Sequence, residues 1–172
     1  MPYLAESMIR DVPDFPKPGI VFKDITPVLQ HPAAFGEVIE SLRDDARDKG
    51  ADVVVGIESR GFVFGVPVAL NLGLPFVPAR KLGKLPYHRL TEEYALEYGT
   101  NSIEMHVDAI QPGQRAYVVD DLLATGGTAA AAGRLIERLN GTVVGFGFMI
   151  ELTFLQGRSN LRGYPIHTLI AY

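Results

Sequence analysis

Tyr117-Val-Val-Asp-Asp-Leu-Leu-Ala-Thr-Gly-Gly-Thr128 is the stretch on which the reading of this chain turns. Ala116–Val119 is a short apolar run rich in β-branched residues, which predicts a buried strand. Two adjacent carboxylates, Asp120 and Asp121, follow where such a strand would leave its sheet. The small-residue turn Ala124-Thr125-Gly126-Gly127-Thr128 comes next, and an amphipathic helix is predicted after it. Ala132, Leu135, Ile136 and Leu139 recur at i, i+3, i+4 and i+7, and Asn140-Gly141 supplies the stop.

Strand, acid pair, glycine turn and helix start together suit a sugar phosphate. Glycines let the backbone approach an anion, and the amides of a first helical turn have no partner within the helix. Thr125 and Thr128 add hydroxyl donors. Asp120 and Asp121 repel a phosphate, but they suit the vicinal hydroxyls of a ribose, which donate to carboxylates, or an attached Mg²⁺. A Gly-Gly turn alone would be read as a plain strand-to-helix connection with two solvated acids. The adjacent acids and flanking threonines favour the ligand site. A P-loop is excluded, since no Gly-x-x-x-x-Gly-Lys-Ser/Thr occurs.

Composition narrows the function classes. A chain of 172 residues fits one domain, and 47% hydrophobic with 21% charged residues is the balance of a soluble globular protein. The net charge of −4 argues against a broad nucleic-acid surface while leaving room for a local basic pocket. With no cysteine, disulfides, thiolate nucleophiles and Cys-type zinc sites are all excluded, which fits a reducing compartment. The four histidines are scattered without ligand-like spacing. Glu6, Arg10 and Asp11 interrupt any secretory h-region, and no apolar run reaches the roughly 20 residues of a membrane span. A cytoplasmic protein with no membrane or nucleic-acid partner is expected.

Leu4–Ile9 suits a short helix, after which Pro13, Pro16 and Pro18 argue against regular structure as far as Gly19. In the loop that follows, Phe22 offers an aromatic face to a planar base, or equally pins the loop to the core. Pro32 opens a helix whose apolar stripe is Phe35, Val38, Ile39, Leu42 and Ala46. Asp52–Ile57 is a second buried strand, and Glu58-Ser59-Arg60-Gly61 follows it. Ser59 suits a helix cap and Arg60 a phosphate oxygen, although a capped helix with a surface arginine fits as well. Pro75–Arg80 is a third strand, leading to the cations Arg80, Lys81 and Lys84, either a solvated turn or a neutralising cluster for a polyanion. Tyr94, Leu96 and Tyr98 alternate, as do Ile103, Met105 and Val107, so a hairpin is predicted across Gly99–Asn101. Glu97 falls on the opposite face from the tyrosines and by itself reads as solvent-facing. Thr142–Leu152, interrupted by Gly145 and Gly147, and Ile166–Tyr172 are the last strands. Strand–helix alternation predicts a mainly parallel, doubly wound α/β sheet flanked by helices, with ligands at the strands' carboxyl ends.

The 117–128 stretch resembles the phosphoribosyl-diphosphate (PRPP) signature of the type I phosphoribosyltransferases, and Val118–Thr128 is similar to the form found in their adenine-using members. The resemblance runs from about Phe15 to Arg158, including Tyr94-Ala-Leu-Glu-Tyr-Gly99 and Glu151-Leu-Thr-Phe-Leu-Gln-Gly-Arg158. It implies one type I phosphoribosyltransferase domain over residues 1–172, with a base-pocket segment at 1–30 and a flexible hood at 81–106. It implies an enzyme of purine salvage that turns adenine and PRPP into AMP and pyrophosphate, acting as a homodimer. It further implies Mg²⁺ as cofactor, held mainly by PRPP with no direct protein ligand.

Residue by residue, the resemblance gives the ribose to Asp120 and Asp121, and the 5′-phosphate to Ala124, Thr125, Gly126, Gly127 and Thr128. It gives pyrophosphate to Ser59, Arg60, Lys81, Lys84 and Tyr98, through a loop that often contains a cis non-proline peptide. Residues near Arg80 and Lys81 would reach a neighbouring subunit's site. Adenine would lie against Val21, Phe22 and Lys23, the last standing where many members carry arginine. Glu97 would be the catalytic group facing the imidazole ring of the base. Two alternatives share the motif: a phosphoribosyltransferase for another purine, and a non-catalytic regulator that senses PRPP. The latter would need a basic RNA-binding face or an appended DNA-binding domain.

Overall fold

A computed structural model describes residues 2–96 and 98–172. The amino-terminal segment makes a 3₁₀ turn at Leu4–Met8, and then β1 (Arg10–Val12) pairs antiparallel with β2 (Phe22–Asp24). The prolines between them confine the irregular backbone to the loop, while Arg10–Asp24 and Lys23–Asp11 ion pairs cross the ribbon. Residues 13–19 hold no helix or strand, as the prolines imply; the expectation of a plain loop around Phe22 is corrected by β2, which pairs with the unexpected β1. After α1 (Thr26–Leu29), helix α2 (Pro32–Asp48) starts at the proline, and the Nδ1 of His31 accepts the Ala34 amide as its cap. Its expected stripe is the buried face, with Ala34, Val38, Ile39, Leu42 and Ala46 inside.

The remaining order is β3 (Val53–Ile57), α3 (Arg60–Leu72), β4 (Phe76–Lys81), β5 (Arg89–Ala95), β6 (Thr100–His106), β7 (Arg115–Leu123), α4 (Gly127–Arg138), β8 (Thr142–Glu151) and β9 (Ile166–Ala171). Among the described residues, seven of these strands form one sheet in the order β5-β6-β4-β3-β7-β8-β9. β4, β3, β7, β8 and β9 run parallel, and the β5–β6 hairpin joins antiparallel through β6 at the β4 edge. Helices cover both faces. α2 and α3 pack on the side of Val54, Tyr117 and Val119, whereas α4 packs on the side of Val53, Val55 and Val118. Burial on both faces is the reason the parallel strands read as continuous apolar runs.

The sheet follows the expected class, with two local differences. β7 does not end at the acid pair. It continues to Leu123, pairing Asp120 with Phe148 and Leu122 with Ile150, because Leu123 is needed in the core beyond the acids. Nor do Gly145 and Gly147 interrupt β8; they are flat places against which Lys49 and Tyr117 lie. Successive connections carry the chain outward in opposite directions from β3 and β7. The carboxyl ends of that pair are thus the switch point at which an open α/β sheet opens a crevice.

Candidate active site

A cleft of about 320 Å³ lies at this switch point. Ser59 and Arg60 reach it from the end of β3, Lys81 from the end of β4, Asp120 and Asp121 from β7, and Thr128 from α4. Three separated stretches of sequence, on four elements, are brought together here. Gly61 makes the closeness possible, because a Cβ there would sit 2.8 Å from the Val119 carbonyl and 3.0 Å from an Asp120 carboxylate oxygen. The first turn of α3 can therefore lie directly on the acid pair.

The acids differ in environment. Asp121 is 5% exposed and accepts a hydrogen bond from Nε of Arg60. Asp120 is half-buried, and one of its carboxylate oxygens accepts the Asp121 amide at 2.8 Å. Burial first, and then the Asp121 charge and hydrogen bond, push the Asp120 carboxyl well above the usual carboxylate range; the Asp121 amide and Arg60 pull the other way. Among the described residues only Asp121 of the two is paired with a cation, and Asp120 holds its proton more tightly than a solvated acid.

The expected cation cluster divides. Arg80 donates to both carboxylate oxygens of Glu58 at 3.0 and 3.3 Å, and the Lys81 amide adds a third bond at 2.9 Å. Burial would raise the Glu58 carboxyl, but these donors hold it below its ordinary value. Arg80 is consequently occupied in bracing the loop, and the Lys81 side chain lines the cleft. The Glu58–Ser59 peptide is cis, as the resemblance implies for this loop. Ser59 occupies the N-cap position of α3 without a side-chain bond, since its backbone is helical there and not extended, so the expected cap is not made.

A smaller pocket adjoins the cleft and is lined by Asp120 together with Ala124, Thr125, Gly126, Gly127 and Thr128. Gly126 has φ +82° at the N-cap of α4, a conformation that favours glycine. A Cβ at this position would also meet the Gly157 carbonyl oxygen. Asn160 donates to the Thr125 carbonyl at 2.7 Å, so the 3₁₀ segment Gly157–Leu161 braces the loop from outside. The loop's inner side keeps the free amides of a helix start, a ready seat for a phosphate.

The known proteins similar to this chain agree with that geometry. The phosphoribosyl transferase domain family matches residues 24–160. An adenine phosphoribosyltransferase of Acaryochloris marina is 57% identical over 97% of this chain and 98% of its own. The crystal structure of adenine phosphoribosyltransferase from Thermoanaerobacter pseudethanolicus superposes with a TM-score of 0.95 at 53% identity, covering 98% of each chain. The enzyme from Saccharomyces cerevisiae, solved with an imino-altritol bisphosphate and adenine, gives 0.90 at 41% identity and 96% coverage of each. The chain belongs to the adenine phosphoribosyltransferase family.

The amino-terminal ribbon, to which the resemblance assigns the base, meets the cleft at Arg60. Phe22 lies with its ring centroid 5.3 Å from the Arg60 guanidinium and packs edge-on against Phe15. Val21 and Lys23 instead line a separate apolar cavity of about 510 Å³ with Leu152, Phe154, Leu155 and Tyr172. The Lys23 ammonium is 2.7 Å from Asp11 and 3.8 Å above the Tyr172 ring. The strand thus sends Phe22 to one side and its neighbours to the other. Lys84 is exposed and its backbone carbonyl accepts from Arg80; Lys84 does not line the cleft. Tyr98 is 85% exposed in the turn beyond β5, where the Leu96 amide donates to the Gly99 carbonyl. β5 ends at Ala95, so the alternation read through Leu96 and Tyr98 runs into a turn. Glu97 lies outside the described residues. Tyr94 and Asn101, which sequence reasoning did not assign, line the cleft, and they are paired across β5 and β6. The hairpin pattern was the available signal, but register fixes which residues face the ligand.

Proposed function

We propose that this family member transfers the phosphoribosyl group of PRPP to adenine, giving AMP and pyrophosphate in purine salvage. The observation that carries the reading is the single cleft lined at once by Asp120 and Asp121, by Thr128 of the glycine loop, and by Arg60 and Lys81. Those are the groups a ribose carrying a phosphate at one end and a diphosphate at the other requires.

In this reading the 124–128 loop holds the 5′-phosphate, and that remote binding energy positions the anomeric carbon. Asp120 and Asp121 accept the ribose hydroxyls and favour positive charge on the ring as the bond to diphosphate breaks. Arg60, Lys81 and the Ser59 loop receive the leaving pyrophosphate, with Lys84 and Tyr98 at the approach. Adenine, stacked on Phe22, forms the new bond through N9 and gives up its N9 proton to Glu97; the Val21 and Lys23 side chains, which turn to the separate cavity, leave only their backbone to meet the base. Among the described residues no cluster of three acids or histidines could cage a metal. Two adjacent carboxylates next to a diphosphate site fit Mg²⁺ that arrives with PRPP and keeps most of its own waters. Such an ion supplies charge neutralisation on the leaving group.

Homodimerisation fits an exposed apolar stripe on α3, Val63, Val66 and Leu70, the last 76% exposed. Sedimentation would measure it. No helix among the described residues is long and apolar enough to cross a membrane; with no cysteine in the chain, we place the enzyme in the cytoplasm. We read residues 1–172 as one domain, a reading that the shared sheet supports.

The specificity half of the proposal is tested by competing adenine, hypoxanthine and guanine for PRPP and Mg²⁺ in one reaction. AMP should dominate the nucleotide products. Preferential IMP or GMP would keep the PRPP site and overturn the base assignment.

A further inference from the structure

The hairpin that lines one side of the cleft is fastened to the same helix whose amino end carries the phosphate loop. Glu92, in the middle of β5, accepts from Nε of Arg134 at 3.0 Å and from an Nη of Arg138 at 3.0 Å. Arg134 also donates to the Glu93 carbonyl at 3.1 Å, and Arg138 to the Thr91 carbonyl at 2.7 Å. Two arginines one turn apart on α4 thereby grip three successive residues of β5. The next residue along the strand is Tyr94, whose ring would be 3.4 Å from a Cβ on Gly127, in the first turn of α4. Tyr94 and its cross-strand partner Asn101 both line the cleft.

β5 is an edge strand, so the carbonyls of Thr91 and Glu93 would otherwise face water. Satisfying an open edge needs donors and nothing more. Here the donors come from α4, six and ten residues past Thr128, or about 9 and 15 Å of helix from the phosphate loop. Their acceptor carboxylate, with a side chain only 19% exposed, is bound among the described residues by these two arginines. The two arginines are each 45% exposed, so solvent screens these pairs and their contribution to global stability is modest. A rigid rod joining loop and hairpin contributes geometry, and misplacing a substrate-facing group by an ångström costs far more in rate than such a pair costs in folding.

We propose that Glu92, Arg134 and Arg138 form a clasp that positions the hairpin over PRPP, with α4 as the ruler between the phosphate loop and Tyr94. The three are positioning residues and touch no substrate. The proposal rests on the phosphoribosyl-transfer reading above. It states that the root of the hairpin at 91–93 is fixed to α4, and that residues beyond it pack against PRPP only because of that anchor.

The test uses the full-length enzyme and two variants, Glu92→Ala and the double variant Arg134→Lys/Arg138→Lys. Lysine keeps the charge but cannot reproduce the forked bonds. The kcat and KM for PRPP and for adenine are measured separately, together with melting temperature. Hydrogen–deuterium exchange over residues 94–101 is followed with and without PRPP and Mg²⁺. Glu92→Ala should raise the PRPP KM about tenfold with little change in the adenine KM, and should remove PRPP-dependent protection of 94–101. Glu92→Gln, which keeps one acceptor oxygen, should recover part of both. Unchanged KM values and unchanged protection in both the alanine and lysine variants, with only a lower melting temperature, would reduce the clasp to edge-capping and overturn the proposal. If the unmodified enzyme makes no AMP, the reading of function fails first, and the exchange experiment still reports on the clasp.

Discussion

Arg60 and Asp121, 61 residues apart in sequence, form an ion pair across the mouth of the cleft. The pair joins the loop after β3 to the acid pair of β7, and the Arg60 guanidinium also lies over Phe22. One side chain therefore touches the regions assigned to ribose, diphosphate and base. In the proposed reaction an incoming diphosphate would compete with Asp121 for Arg60, and ribose hydroxyls would take the carboxylate that is released.

Arg60→Ala should lower kcat/KM for PRPP by about 10- to 100-fold, since it removes both a charge for the leaving group and the partner of a buried acid. Arg60→Lys should fall between, because it retains charge without the fork. Steady-state kinetics at fixed saturating adenine would measure both. A wild-type value for Arg60→Ala would remove Arg60 from the diphosphate site.

Asp120→Asn is expected to separate stability from activity. Asp120 is held above its unfolded value of 3.8, so the folded chain binds more protons than the unfolded one between that value and the raised one. Stability contributed by its neutral form is lost as pH rises through this window. Asparagine has nothing to titrate. The melting temperature of the variant relative to the unmodified enzyme should therefore climb from acidic pH toward neutrality, while turnover falls. A difference in melting temperature that stays flat with pH would contradict the raised Asp120.

Gly126→Ala should damage the phosphate loop. The left-handed backbone alone costs a β-carbon roughly 1–2 kcal/mol, and the contact with the Gly157 carbonyl adds to it. A lower melting temperature together with a higher PRPP KM, and an adenine KM near normal, is the expected combination.

Tyr117→Phe provides a control remote from the chemistry. The buried Tyr117 hydroxyl donates to Asp45 at 2.6 Å, and Asp45 keeps Lys49 as a second partner. Loss of the hydroxyl should cost about 1 kcal/mol in denaturant unfolding and leave kcat unchanged. A fall in kcat per folded molecule would mean that the core under β7 is coupled to the acid pair.

The parallel core was legible because strands buried on both faces spell themselves as valine runs, as at Val53–Ile57 and Ala116–Val119. The turn into α4 was legible because a left-handed backbone there favours glycine, and Gly126 has φ +82°. Other features depend on partners that local sequence does not name. β7 passes through Asp120 and Asp121 because β8 continues beside it, and two charged residues in a row look locally like a strand's end. Arg80 looked like a free cation until Glu58, on the neighbouring strand end, claimed it. Glu104 is another such case: 1% exposed inside β6, it is satisfied by Arg89, Thr91 and the Gly83 amide. Tyr94 and Asn101 became site residues through hairpin register, which periodicity leaves open by one residue.

The most direct test of the whole account is stoichiometric. The enzyme is incubated with PRPP, Mg²⁺ and adenine, and AMP and pyrophosphate are quantified in the same samples, with a parallel reaction lacking the base. The account predicts equal molar amounts of the two products and neither above background without adenine. Pyrophosphate released without matching AMP, or PRPP bound and left intact in the presence of adenine, would contradict it.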